Sequence, residues 1–342
     1  MRRCKRLIIA AAILLPLVLF GAYTALWFYA AHRVREGLPQ WAAAMRTQHL
    51  DLSWQGVRIA GYPLAFRLEF TKIAVRDRDP RFAADVLAPM LTAGARPWNP
   101  FVWHLDLPAG LTATPAGGVP GSAVVSAPAA TGTIAVVDAG ARLWLAVREP
   151  HVAAGAVPLA ARLVYVWLIL PARPPSGPDE PALGVALDVH DLILPQVPPP
   201  FHNPVEEASL GVTVMGPIPP GPPRQAAAAW RDAGGTLEVD HVALRWGDLR
   251  LAANGTLALD ADLQPIGAFS GGVGGYGELM KALAASGRIG KRKADLATTA
   301  LSFFAKTGPD GRKRIATSFS IQDGEMFLGP IKIGPMPHID WD

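Results

Sequence analysis

The chain is poor in cysteine, in charge and in catalytic signatures. Its one cysteine, Cys4 among 342 residues, excludes a disulfide framework and a cysteine-rich zinc module. No H-E-x-x-H and no G-x-S-x-G occurs, so the helical zinc-protease motif and the serine-hydrolase nucleophile elbow are both missing. The eight histidines are dispersed, with no two at a helical i, i+4 spacing. Charged residues make up only 18% and half of the chain is hydrophobic, which excludes disorder of the whole. Glycine and proline are plentiful instead, at 34 and 33 residues, together about a fifth of the chain against a usual share of ~12%. The length suits roughly two or three domains, or one large β domain.

The formal net charge of +4 would ordinarily raise a polyanion as partner. All of it lies in Arg2, Arg3, Lys5 and Arg6, ahead of the first acidic residue, Glu36. Removing those four from the 32 basic residues leaves 28, matching the 28 acidic ones. A neutral remainder argues against nucleic-acid binding. The basic cluster stands directly before an apolar run, residues 7–29, in which only Pro16, Gly21 and Thr24 fall outside the hydrophobic set. As a helix rising 1.5 Å per residue the run spans ~35 Å, enough to cross a hydrocarbon core of ~30 Å. Basic residues on its N-terminal side place that end in the cytoplasm. Tyr23, Trp27, Phe28 and Tyr29 gather at the far end, where aromatic rings favour the membrane interface. A cleaved signal peptide fits less well, since its apolar region is usually ~7–15 residues and ends in small residues. Cys4 precedes the run and is therefore no lipoprotein attachment site. The reading is a cytoplasmic basic tail (1–6), a transmembrane anchor in the bacterial inner membrane (7–29), and a periplasmic β-rich domain (30–342).

Within that domain, Val34, Leu38, Trp41 and Met45 recur at helical spacing, and Gly37 and Pro39 interrupt them, which predicts a broken amphipathic helix over 32–48. From residue 50 to 342 the pattern is that of a β-meander with proline-rich loops. Residues 64–71 alternate as a half-buried strand entered through the turn Gly61-Tyr62-Pro63. Gly247-Asp248, Asn254-Gly255 and Asp323-Gly324 each predict a hairpin. Proline-rich stretches at 171–181, 195–204 and 215–223 read as loops between strands. Helices are predicted over 224–233, 278–285 and 294–306, the last with Leu296, Ala300, Phe303 and Phe304 on one side. A looser repeat, apolar-x-apolar-x-x-apolar-x-apolar, appears at Leu68–Phe70–Ile73–Val75, at Leu187–Val189–Leu192–Leu194 and at Leu237–Val239–Val242–Leu244. Its extra residue flips the pleat unless a bulge absorbs it. His190-Asp191 and Asp240-His241 occupy that slip, as polar bulges at a sheet edge or, alternatively, as paired functional groups.

Other motifs are weaker. Gly272-x-Gly274-x-x-Gly277 with Asp295 matches a dinucleotide fingerprint in letters, but hairpins precede it where a βαβ unit is required. Gly290-Lys291 lacks the first glycine and the Ser/Thr of a phosphate loop. Asp179-Glu180 and Glu206-Glu207 lie in or beside proline loops and read as solvated faces. Arg288, Lys291, Arg292 and Lys293 form one local basic run, suited to a solvated helix start or to anionic headgroups. Residues 163–170 differ in kind. They are apolar throughout, with Tyr165 and Trp167 among them, as expected of a strand buried on both faces or offering one face to a ligand. No catalytic, cofactor-binding or metal-ligating residue and no cofactor is assigned.

Several of these pieces together resemble a bacterial family known as domain of unknown function 2125. They are Tyr23-Thr24-Ala25-x-Trp27 at the end of the anchor, Trp41, Gly61-Tyr62-Pro63, Arg96-Pro97-Trp98-Asn99-Pro100, residues 230–237, Arg245-Trp246-Gly247-Asp248-Leu249, Gly255-Thr256-Leu257 leading to Pro265-Ile266-Gly267, and Gly324-x-x-x-Leu328-Gly329-Pro330. The resemblance implies placement and fold but no reaction. In architecture alone, anchor plus meander is similar to AsmA-like envelope proteins, which implies lipid handling. The expected fold is mainly β with some α, an N-terminal transmembrane helix followed by an elongated antiparallel meander with a few packed helices. The expected role is a non-enzymatic envelope protein binding lipid or another amphipathic molecule along an apolar sheet. The alternatives are a structural protein docking envelope partners through sheet edges, and an exported hydrolase with a dispersed site.

Overall fold

The computed structural model describes residues 2–47, 49–78, 84–115, 123–154, 157–197, 199–287, 289–307, 313–329 and 331–341. It opens with one helix, α1 (Arg2–Arg46), of 45 residues. The strands β1 (Leu50–Ser53), β2 (Gly56–Ala60), β3 (Phe66–Asp77), β4 (Ala84–Arg96), β5 (Asn99–Leu107) and β6 (Leu111–Pro115) follow. Next come β7 (Val124–Ala127), β8 (Ala129–Val137), β9 (Gly140–Arg148), β10 (His151–Ala154), β11 (Val157–Ala160) and β12 (Leu163–Pro171). The chain continues through β13 (Pro181–Leu192), β14 (Val205–Met215), α2 (Pro223–Asp232), β15 (Thr236–Trp246), β16 (Leu249–Leu259) and β17 (Pro265–Gly274). It closes with α3 (Tyr276–Ala285), α4 (Lys291–Phe304), β18 (Lys306–Thr307), β19 (Lys313–Gln322), β20 (Glu325–Leu328) and β21 (Ile331–Pro335). Among the described residues every strand belongs to one sheet. The pairings along its length are antiparallel, from β2 with β3 to β20 with β21.

By length and composition, α1 contains a stretch within Leu14–Arg46 able to cross a membrane. Leu14, Leu15, Leu17, Val18, Leu19 and Phe20 are 56–66% exposed. A helix apolar all round is at home inside a core or in lipid. The second half does something else: Trp27, Ala31, Leu38 and Ala42 are buried, and Leu38 packs with Leu68, Phe70 and Ala93 of the sheet. The expected break at Gly37 and Pro39 is absent, and the helix runs through both. Pro39 and Arg35 are exposed, so water can satisfy the Arg35 carbonyl that loses its partner at Pro39. The buried stripe also differs from expectation. It passes through Ala42, leaving Trp41 51% exposed, because the close approach of helix and sheet favours the smaller side chain.

The middle of the sheet is a simple meander of bent strands. β5 with β6, β7 with β8, β9 with β10 and β11 with β12 are each one strand interrupted by a kink of one to three residues. The kinks fall side by side at Pro108–Gly110, Pro128, Glu149–Pro150 and Ala161–Arg162. They are flanked by Lys72 in β3 and Asp191 in β13, both with positive φ (48° and 52°). The result is a crease crossing adjacent strands. Leu68 and Phe70 lie on one side of Lys72 and Ile73 on the other, yet Ile73 packs against the same cluster as Leu68 and Phe70, while β3 and β4 keep one register through the crease. At Asp240-His241 the slip is a bulge, since Val239 faces Gly255 while Val242 faces Ala253. Both His/Asp slips lie in interior strands, where a sheet-edge position was expected.

Gly247-Asp248 and Asp323-Gly324 form the expected hairpins, the latter with φ of 53° and 70°. The Asn254-Gly255 hairpin does not form. β16 runs straight through it, paired to β15 on one side and β17 on the other. α2 and α3 lie where expected, and α4 starts one turn earlier, at Lys291. The proline-rich stretches are loops. That at 195–204 is fastened by Asn203, whose side chain donates to Leu194 O (2.7 Å) and accepts from Leu194 N–H (2.9 Å). Total accessible surface is 21247 Å², well above the ~13,000 Å² expected of a compact protein of this mass. The excess is that of an open sheet with a projecting helix.

Candidate functional site: one apolar face of the sheet

Directly opposed residues in antiparallel strands share a face. Following the register from strand to strand therefore traces each face across the molecule. From β3 the row Leu68–Ala93–Leu105–Gly132–Leu145–Val166–Leu187–Leu210–Val242–Ala253–Gly271 crosses eleven strands without meeting a charge, and the row beside it continues to β19 at Ile315. Parallel rows beside it, such as Val185–Val212–Val239 and Leu244–Leu251–Val273–Ile315, are also apolar. This is termed the inner face. The opposite, outer face carries Arg142, Arg148, Asp188, Glu207, Arg245, Arg250 and Arg314.

α1 covers the inner face only at the β2–β5 end, where Val34 and Leu38 join Leu68, Phe70 and Ala93. At the other end Leu249, Val273 and Ile315 are buried where α3 and α4 approach β16 and β19. Between them the inner-face residues of β12, β13 and β14 are half-buried or exposed, and Leu210 is 41% exposed. The sheet curls toward this face. A Cβ on inner-face Gly271 would sit 2.3 Å from Ala252 O and 2.8 Å from Ala253 Cβ, while one on outer-face Gly272 would meet nothing nearer than Ile315 O at 3.6 Å. Glycine at 271 thus permits a close strand approach on the concave side. Gly255 does the same beside Ala268 O, which is why its Asn-Gly pair serves a strand interior and not a turn. In the curl lies a pocket of about 290 Å³, lined on its inner-face side by Val242, Leu251, Ala253, Phe269, Val273 and Phe319.

The sequence singled out residues 163–170 as a block, and the pleat divides them. Val164, Val166 and Leu168 join the inner face, whereas Tyr165 and Trp167 form an outer aromatic patch. Tyr165 stacks on Trp144 (5.9 Å between centroids) and meets His190 edge-on (5.7 Å). Phe319 lies on the strand that the Asp323-Gly324 turn implied, while the strand of Phe269 is masked in the sequence by the glycines at 271 and 272. The signal of Phe269 is alternation, Phe269–Gly271–Val273 against Ala268–Ser270–Gly272.

The remaining motifs are accounted for locally. Gly272 and Gly274 lie in β17, antiparallel to both neighbours, and Gly277 opens α3 beside Thr298 of α4; Asp295 is on α4. That arrangement differs from a dinucleotide-binding βαβ unit. The two His/Asp pairs stay apart. Asp191 pairs with Arg162 (2.5 Å), and Asp240 accepts from Thr213 Oγ1 (3.1 Å) while the His241 ring packs over Gly211. Glu180 accepts from the Ser176 backbone N–H (2.7 Å) and Oγ (3.0 Å), which holds its carboxyl below the ordinary range. Glu206 accepts from Gly247 N–H (3.0 Å), and Glu207 pairs with Arg245 (3.5 Å). Arg288 lies outside the described residues; Lys291, Arg292 and Lys293 form the exposed first turn of α4. Among the described residues no three His, Cys, Asp or Glu side chains converge as a metal site.

Residues 27–337 match the model of a family described as uncharacterised proteins conserved in bacteria, domain of unknown function 2125, and the chain belongs to that family. No curated protein and no solved structure matches it.

Proposed function

We propose that the chain is an inner-membrane-anchored periplasmic protein that binds lipid, or another molecule with a long apolar part, along the inner face of its sheet. The observation that carries this reading is the uncharged row running from β3 to β17, open in its middle and backed by a charged outer face. A sealed core with only its edges free would have favoured docking of envelope partners by strand addition. The half-exposed middle favours an apolar occupant. The anchor reading is supported by the docking of α1 on its own domain. The Trp27 indole N–H donates to Ala65 O (3.2 Å), and the Thr24 and Tyr62 hydroxyls bond at 2.6 Å. A cleaved signal peptide has no such part in the mature fold.

The pleat supplies the test. A photo-crosslinking amino acid is placed at Leu187 (inner face) or at its neighbour Asp188 (outer face) in the membrane-embedded full chain. Lipid adducts recovered by mass spectrometry are expected at 187 and not at 188. Equal yields at the two positions, or none at 187, sink the reading.

A further inference from the structure

One end of the sheet carries large apolar side chains that are exposed. Leu64, Trp98 and Phe101 are 68%, 64% and 63% exposed. Leu64 and Trp98 come from two turns, 61–65 before β3 and 97–98 between β4 and β5, and Phe101 lies just beyond the second, at the start of β5. These turns are neighbours because Phe66 pairs with Ala95 and Arg96 with Asn99. The same end is where α1 leaves the sheet. Tyr23 donates its hydroxyl to Pro63 O, Trp27 donates to Ala65 O, and the Trp27 ring lies 5.5 Å from Tyr62 and 5.6 Å from Phe66. Leu64, between those two carbonyls, is therefore fixed at the level of residues 23–27 of the helix. The apolar part of α1 that projects past this level, residues 7–22, is ~24 Å long. Exposed Arg67 and Arg96 stand at this edge, with the Arg96 guanidinium 6.0 Å from the centre of the Trp98 ring. Aromatic rings, aliphatic side chains and arginines at one level are the composition that suits a membrane interface.

We infer that the turns 61–65 and 97–98 seat in the headgroup layer of the bilayer that α1 enters, with Leu64, Trp98 and Phe101 among the upper acyl carbons and Arg67 and Arg96 at the phosphates. The domain then rests on the membrane by its strand ends, and the inner face begins at the lipid surface from which its ligand would come. This inference depends on the membrane reading of α1 but not on lipid binding along the sheet. The occupant is the bilayer itself, because the patch is continuous with the apolar segment of α1.

The test uses the full chain in vesicles of phosphatidylethanolamine and phosphatidylglycerol, in a Cys4→Ser background. Nitroxide labels are placed singly through Phe20→Cys, Leu64→Cys, Trp98→Cys and Asp248→Cys, the last at the opposite strand ends. Collision with oxygen and with a water-soluble nickel chelate reports depth. Labels at 20, 64 and 98 are expected to lose access to nickel, while 248 keeps it. If 20 is protected and 64 and 98 are as open to nickel as 248, the inference is overturned while the anchor stands. If 20 is open as well, the anchor reading falls and takes the inference with it.

Discussion

The curl of the sheet makes a sharp prediction at two adjacent glycines on opposite faces. In Gly271→Ala the new methyl must fit 2.3 Å from Ala252 O and 2.8 Å from Ala253 Cβ, distances that force β16 and β17 apart. Forcing atoms into a packed position costs about 1–3 kcal/mol. Replacing a strand glycine returns about 0.5–1 kcal/mol by restricting the unfolded chain. The net effect is a loss of ~1–2 kcal/mol. In Gly272→Ala the nearest atom is Ile315 O at 3.6 Å, an ordinary contact, so only the gain remains and the variant should be level with or above the parent by about 0.5 kcal/mol. Thermal melts of the full chain in detergent, followed by circular dichroism, should place Gly271→Ala several degrees below Gly272→Ala, at ~2–4 °C per kcal/mol. The methyl at 271 would also enter the 290 Å³ pocket. Equal melting points, or the reverse order, would refute the assignment of the concave side to the inner face.

The docking of α1 should be sensitive to Trp27, which is 7% exposed. Trp27→Ala is expected to cost about 3–5 kcal/mol and to raise proteolysis at the turn 61–65. Trp27→Phe, which loses the bond to Ala65 O and the part of the indole that a phenyl ring does not fill, should cost less than Trp27→Ala, about 1–3 kcal/mol, and a Trp27→Ala variant with unchanged unfolding and turn protection would contradict the packing. The loop between β12 and β13 should loosen in acid. The Glu180 carboxyl is held below its ordinary 4.5 by the Ser176 hydrogen bonds, so its contribution is present above that value and lost as pH falls through the lowered one. Normalised hydrogen-exchange protection of the Ser176 amide should drop over that window and be pH-independent in Glu180→Gln, whose amide oxygen accepts but does not titrate; a pH-independent profile in the parent would be the contrary result.

What the sequence made legible was local. The apolar run, the turns at 247–248 and 323–324, the three short helices and the pleat slips at 72, 191 and 240–241 each depend on a few adjacent residues. Where a distant neighbour decides, the local signal misleads. Asn254-Gly255 has the letters of a hairpin, but strands on both sides pair through it and the approach of Ala268 sets the requirement for glycine. Pro39 should interrupt a helix, yet its exposed position leaves the freed carbonyl to water. The candidate site was the least legible part. Alternation along one strand defines two faces but not which face of the next strand joins it. Only the register shows that Leu145, Val166, Leu187 and Leu210 are neighbours.

That register also constrains what the inner face can hold. From β9 to β15, between the part covered by α1 and the part covered by α3 and α4, it crosses five strands, ~19 Å at ~4.8 Å per strand. The largest apolar patches that monomers expose are commonly functional. A second copy could cover such a patch by stacking sheet on sheet, but that requires faces that lie ~10 Å apart over their whole extent. The approach enforced at Gly255 and Gly271 curls this face, so two copies would touch at their rims and leave the floor uncovered. Insertion of the sheet itself into lipid fails on the other side, where Arg142, Asp188, Glu207, Arg245 and Arg314 would follow it into the hydrocarbon. A narrow, flexible, apolar chain meets neither obstacle, since it can lie along the curl and leave the charged face in water. For that reason an amphipathic molecule, and not a protein surface, is the proposed occupant.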